Sequence, residues 1–177
     1  IALLTCAVAN GQYLLVTDPG AGTVGRYSSS GAPVNVSLIS GLNIPLGIVE
    51  SGGYIYVANN GNGTIGKYNL DGTIVNAAFI TGLNAPAGLA ISGSYLYIAN
   101  SGAGKISKFD ISGTLINNSF IVGLTNPQGL TISGTNIFIA DQGTGAIGQF
   151  SLTDGSTING SLRISGSLNN PRGIALN

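Results

Sequence analysis

Proton-transfer chemistry in this chain of 177 residues would have to rest on six Asp+Glu, because the sequence holds no His and a single Cys, Cys6. Those carboxylates (Asp18, Glu50, Asp71, Asp110, Asp141 and Asp154) are spread one at a time along the chain. A general acid–base pair or a calcium loop needs several converging on one place. Composition also excludes a Ser-His-Asp triad, an imidazole base and the His-containing zinc sites. Six Lys+Arg balanced by six acids, with only 7% of residues charged, cannot build the basic surface that neutralises phosphates. The expectation is a protein that is not an enzyme, takes no cofactor or metal, binds no nucleic acid and has no transmembrane segment.

Several small motifs invite a chemical reading. Gly20–Gly25, Gly61–Gly66 and Gly143–Gly148 each match G-x-G-x-x-G. A dinucleotide site needs a helix after the glycines, whereas a strand pattern follows each time, so these read as tight turns with Gly supplying positive φ. Asp18, Asn59, Asn100 and Asp141 open the same connections, where a short Asx side chain accepts from the backbone two residues on. N-x-[ST] sequons occur at Asn35, Asn62, Asn117 and Asn159. With 18 Asn and 31 Ser+Thr, chance alone gives about three, so these four are conditional glycosylation candidates only. The candidate ligand positions at a channel mouth are Leu46, Ala87, Gln128 and Arg172, each the middle residue of a P-x-G triplet.

What positions these residues is a repeat. Pro45, Pro86, Pro127 and Pro171 are spaced about 41 residues apart, each followed by Gly47, Gly88, Gly129 or Gly173. Residues 54–83 and 95–124 are near copies, 13–42 is a third, and 136–168 is a fourth with three extra residues after Phe150. The repeats run approximately over 4–42, 43–83, 84–124 and 125–168, with an extra terminal strand at 171–176, in a single domain covering 1–177. Each copy reads as four short strands broken by Gly, Asn, Asp or Pro. Strand A follows P-x-G (47–50, 88–91, 129–132), strand B covers 54–58, 95–99 and 136–140, and strands C and D of the second copy cover 64–68 and 76–80. Strand B is apolar on both faces, as Tyr54-Ile55-Tyr56-Val57 shows, which suits a sheet covered by neighbouring sheets on both sides. The expected fold is all-β, a β-propeller of four four-stranded antiparallel blades. Tyr13, Tyr54 and Tyr95 recur at the first position of strand B and read as packing between blades before they read as a sugar platform.

The pattern G-L-x-x-P-x-G-[IL], then S-G-x-Y-[IL]-Y-[IV]-A-[ND], then G-x-G-x-[IV]-x-[KRQ]-[YF] resembles the NHL-type and SMP-30-like β-propeller repeats over all four copies. The resemblance implies a propeller whose strands A line a central channel. It implies no single function, since such repeats serve as binding platforms, scaffolds and, in some branches, hydrolases or lyases. The channel-mouth carboxylates, histidines and metal of the enzymatic branches have no counterpart in this sequence.

Four B-C-D sets accompany five candidate strands A, because residues 4–9 and Gly173–Leu176 both fit that role. In the repeat register Cys6 falls at the Gly47 position. Ala7-Val8-Ala9 also resembles a signal-peptide cleavage site, and with the low charge it points to export. One surplus strand A either pairs with another chain, giving a head-to-tail filament, or belongs to a fragment of a larger propeller. The expectation is therefore an extracellular structural protein whose partner is itself, possible glycoprotein included. The alternatives are a propeller module that binds peptide or glycan and, behind it, an SMP-30-like hydrolase or lyase.

Overall fold

The computed structural model describes residues 6–9, 13–162 and 168–176. Its strands form four antiparallel sheets, each a four-strand meander in chain order. Sheet 1 is β1 (Cys6–Ala9), β2 (Tyr13–Asp18), β3 (Thr23–Ser28) and β4 (Pro33–Ile39). Sheet 2 is β5 (Pro45–Ser51), β6 (Tyr54–Asn59), β7 (Thr64–Asn69) and β8 (Ile74–Ile80). Sheet 3 is β9 (Pro86–Ser92), β10 (Tyr95–Asn100), β11 (Lys105–Asp110) and β12 (Leu115–Ile121), and sheet 4 is β13 (Pro127–Ser133), β14 (Asn136–Asp141), β15 (Ala146–Ser151) and β16 (Thr157–Asn159). Each sheet falls inside one expected repeat. The only helical turn among the described residues is a short 3₁₀ piece at Ser101–Ala103. The chain divides into two compact units, 1–86 and 87–177, each holding two sheets.

Strand B is the buried axis of each blade, for the reason its sequence gives: both of its faces are apolar. Ile55, Val57, Leu96, Ile98, Ile137 and Ile139 are wholly buried, and each such side chain contributes about 1.5–3 kcal/mol relative to exposure. In the first unit Leu15, Val24, Ile39, Ile48, Ile55, Val57 and Tyr68 make one core between sheets 1 and 2. In the second, Tyr97, Ile106, Phe120, Leu130, Ile137, Ile139 and Phe150 make another between sheets 3 and 4.

The G-L linker is tied back to its own blade at the second glycine of the strand B to strand C turn. Gly63 takes φ +70°, accepts from Leu83 N at 3.1 Å, and donates to Asn59 O at 3.1 Å. A Cβ there would run into the Leu83 carbonyl, so only Gly fits. Gly22 with Leu42 and Gly104 with Leu124 repeat the contact. The G-x-G-x-x-G matches are therefore turns feeding β3, β7 and β15, as their following strand patterns indicate.

Two sequence expectations about the ends are corrected. Cys6 lies opposite Val16, as Ile48 lies opposite Val57 in the next sheet, so the N-terminal strand sits one residue on from the Gly47 register. Sheet pairing supersedes the motif count here because Leu4-Thr5-Cys6 has neither the Pro nor the Gly that anchors the other copies. At the other end, Gly173–Leu176 takes no strand assignment. The expected strand residues 4 and 5, and residues 163–167 of the fourth repeat, lie outside the described residues.

Candidate functional site

Strand A is entered through a bend that the sequence does not advertise. Ile44 and Ala85, each just before the proline of P-x-G, adopt positive φ of 49° and 50°. Asn170, before Pro171, does the same at 55°. The glycine that follows brings successive repeats into close approach: a Cβ on Gly88 would strike the Gln128 carbonyl oxygen, and one on Gly129 would strike that of Arg172. Residues 171–176 thus stand to β13 as β13 stands to β9.

The residue after the Asx at the end of strand B latches onto the following P-x-G. Asn60 Nδ2 donates to Pro86 O at 3.1 Å, and the buried Ser101 Oγ donates to Pro127 O at 2.6 Å. At the third such place, Gln142, with its amide oxygen turned toward Arg172, accepts from Nε at 3.0 Å and Nη2 at 3.2 Å. The side-chain amides of Gln142 and Asn126 are 2.8 Å apart, Gln128 Nε2 lies 2.7 Å from Asn126 Oδ1, and Ser101 Oγ is 3.4 Å further on. Of the four expected mouth residues, then, Gln128 and Arg172 share one polar chain. Ala87 is buried, 3% exposed. Leu46, in the first unit, uses its carbonyl to accept from Thr17 Oγ1 at 2.9 Å.

The Asx residues do more than cap their own turns. Asp18 Oδ1 does accept from Gly20 N and Ala21 N at 2.9 and 3.0 Å. Asp141 also reaches back across the blade, accepting from Thr125 N at 3.0 Å and Asn126 N at 2.8 Å, and Asn59 accepts from Asn43 N at 3.4 Å. They fasten the linker to the end of strand B. Among the described residues no three acidic, His or Cys side chains gather where a metal would bind.

All four sequon asparagines are exposed. Asn35, Asn117 and Asn159 each accept at Oδ1 from the amide of the Ser two residues on, at 3.0, 2.9 and 3.1 Å. Asn76 makes the same bond to Ala78 N at 3.0 Å without being a sequon. These four asparagines mark a register shift where strand D meets strand C, opposite Arg26, Lys67, Lys108 and Gln149. The repeat itself therefore accounts for three of the four matches.

A cation stacked on aromatic rings recurs with that register. Lys67 Nζ lies 4.1 Å from the Tyr54 ring centroid, 5.4 Å from Tyr56 and 5.1 Å from Phe79. Lys108 repeats this over Tyr95, Tyr97 and Phe120 at 4.1, 5.4 and 5.0 Å. Burial pushes the phenols of Tyr56 and Tyr97 above the usual range, with the neighbouring Tyr54 and Tyr95 adding to it. Sequence reading saw the tyrosines and missed their cations, although the [KRQ] position thirteen residues after each first tyrosine carried the signal. Arg26 lies over Tyr13, 5.5 Å from the ring centroid, and also donates to Leu70 O of the next blade. In the second unit a cavity of about 400 Å³ is lined by Tyr95, Tyr97, Lys108, Ser94, Thr135 and Thr153.

A family model for the LVIVD repeat matches residues 47–65 and 87–105. No curated protein matches the chain. Among solved structures, it is similar to a nidogen/laminin complex chain at TM-score 0.79 and 22% identity, over 95% of this chain and 65% of that one. It is similar to a gluconolactonase from Xanthomonas campestris at TM-score 0.79 and 16% identity, over 97% and 66%. A streptogramin B lyase gives TM-score 0.69 and 16% identity, over 85% and 52%. The chain spans less than two thirds of the length of these structures. The fold defines a β-propeller repeat protein, built here of four blades. The matches to the LVIVD repeat model fall at the start of its second and third blades.

Proposed function

We propose that this protein is a non-catalytic, extracellular structural propeller that associates with copies of itself. The observation that carries the reading is the chemistry of the outermost strands. β4, β8, β12 and β16 contain no charged residue. They expose Val34, Val36, Ile74, Val75, Leu115, Ile116 and Ile158. Edge strands that stay apart from one another are usually guarded by inward or flanking charges, and here only bulges interrupt them. The low charge of the whole chain supports the same reading, because little like-charge repulsion opposes association. The A-x-A-like segment at Ala7–Ala9 supports export.

Sedimentation and negative-stain microscopy of the purified chain test it. Ordered oligomers or filaments that shrink when Val36, Ile74 or Leu115 is changed to Lys are expected, as are blank lactonase and lyase assays with divalent metals. Monomers at every concentration, or measurable turnover, would overturn it.

A second reading rests on the cavity beside Tyr95. Two tyrosine rings, the Lys108 ammonium and the hydroxyls of Ser94, Thr135 and Thr153 suit a glycan or a short peptide. Chemical-shift changes confined to these residues on titration with oligosaccharides would favour it.

A further inference from the structure

Lys108 is a cation that the protein leaves without an anion. Its ammonium stacks on the rings of Tyr95, Tyr97 and Phe120, all of its own blade, and among the described residues it has no hydroxyl, carbonyl or carboxylate partner. The side chain is half-buried and lines the cavity of about 400 Å³ between sheets 3 and 4. An ammonium carries three N–H donors and accepts nothing, so what it offers that cavity is positive charge and hydrogen.

The first unit answers the same charge from within. Arg26 holds the Lys108 position of its repeat, lies over Tyr13, and reaches the next blade to donate to Leu70 O. Asp71, beside Leu70, has its carboxyl lowered by its bonds to Thr73 and further by the Arg26 charge. Neither contact recurs among the described residues of the second unit. There the turn from strand C to strand D of blade 4 is one residue longer: Gly155 N donates to Ser151 O, where Gly72 N donates to Asn69 O and Gly113 N to Asp110 O. The added residue, Thr153, lines the cavity, and none of the lining residues is acidic. The acids on the adjoining turns are held in place there, Asp154 by Ser156 and Asp110 by Ser112 and Thr114.

We propose that this cavity binds a carboxylate-bearing sugar, a hexuronate unit of a glycan, with the carboxylate on the Lys108 ammonium. This rests on the second reading above and names its ligand class. The hydroxyls of Ser94, Thr135 and Thr153 line the same space and pair with sugar hydroxyls, and the exposed Tyr95 ring takes the C–H face of a pyranose. The walls are set in advance, because Ile111 N donates to Ser94 O at 3.0 Å and Leu152 N to Thr135 O at 2.8 Å. A peptide fits less well: its main chain needs an unpaired strand edge, whereas Tyr95, Tyr97 and Lys108 stand on β10 and β11, each paired on both sides.

The test is an NMR titration of the full chain with sodium glucuronate, glucose, sodium acetate and a short glutamate-containing peptide in separate arms. Glucuronate is expected to shift the amides of Ser94, Tyr95, Thr135 and Thr153, to bind at least about tenfold more tightly than glucose or acetate, and to lose that margin in Lys108→Gln. Gln149 fills the same repeat position in blade 4, so the strand accepts Gln. Lys67→Gln, which removes the equivalent stack from blade 2, is expected to leave binding unchanged. Glucose binding as tightly as glucuronate would overturn the carboxylate assignment while leaving the glycan reading standing. Acetate matching glucuronate, or the peptide outbinding it, would overturn the sugar class, and equal losses in the Lys67 and Lys108 variants would overturn the site. No shift in any arm, from a chain that is folded, overturns both the proposal and the reading beneath it.

Discussion

Gly129 meets the main chain of Arg172 so closely that a single added methyl group would collide with the Arg172 carbonyl oxygen, with Ile174 N close behind at 3.2 Å. The same approach joins Gly88 to Gln128 one repeat earlier. That pair of equivalences places 171–176 in the frame of a blade although its backbone takes no strand pairing.

Gly129→Ala is expected to push the segment away and to lower unfolding stability by about 1–3 kcal/mol, since backbone atoms cannot rotate aside as a side chain does. Urea unfolding checks this. Gly52→Ala has open space where the methyl would go, but its φ of 60° keeps the change strained, so the control is a difference between the two in exchange of the 172–176 amides. Only Gly129→Ala is expected to accelerate it.

Ile44 holds φ +49°, a region that β-branched side chains avoid and Asn tolerates. Asn170 does the same job at 55°. Ile44→Asn is therefore expected to raise stability by about 0.5–1 kcal/mol, since the half-exposed Ile44 side chain gives up little burial. A fall in the denaturation midpoint would show that the side chain matters more than the strain.

Ser101 is buried and donates to Pro127 O at 2.6 Å. Removing the hydroxyl leaves that carbonyl without the donor the latch supplies. Ser101→Ala is expected to cost about 1–3 kcal/mol and Ser101→Thr much less. Thermal unfolding of the two variants separates loss of the bond from loss of packing.

Asp154 accepts from Ser156 N at 3.0 Å and Ser156 Oγ at 2.7 Å, and these bonds hold its carboxyl down at about 2. Asp71 and Asp110 are lowered for the same reason by Thr73, and by Ser112 and Thr114. A carboxylate whose folded pKa is depressed adds stability that is complete above the unfolded pKa near 4 and is lost as pH falls through the folded value. These turns are expected to keep their shape at pH 4 and to loosen only toward pH 2. Carboxyl NMR titration checks it, and an Asp154 midpoint near 4 would contradict it.

Much of the fold was legible because strand B is apolar on both faces and the P-x-G period recurs: Tyr54–Asn59 and Tyr95–Asn100 form where the pattern put them. What stayed hidden depends on three-dimensional proximity. Nothing in Gln142 alone says that it meets Arg172, and the role of Ser101 appears only once Pro127 O is beside it. The Lys67 stack was half visible, since the tyrosines recur, but strand pairing was needed to set Lys67 opposite Tyr56. The slip at Cys6 has the opposite cause: the motif was too degenerate there to fix a register that hydrogen bonding does fix.

The central claim, that copies join through the uncharged outermost strands, is tested most directly by hydrogen exchange of the β4, β8 and β12 amides across a dilution series. Slow exchange in these strands at high concentration, becoming fast as the protein is diluted to monomer, is the result expected. Fast exchange of those amides at every concentration, in a sample that is demonstrably assembled, would contradict it.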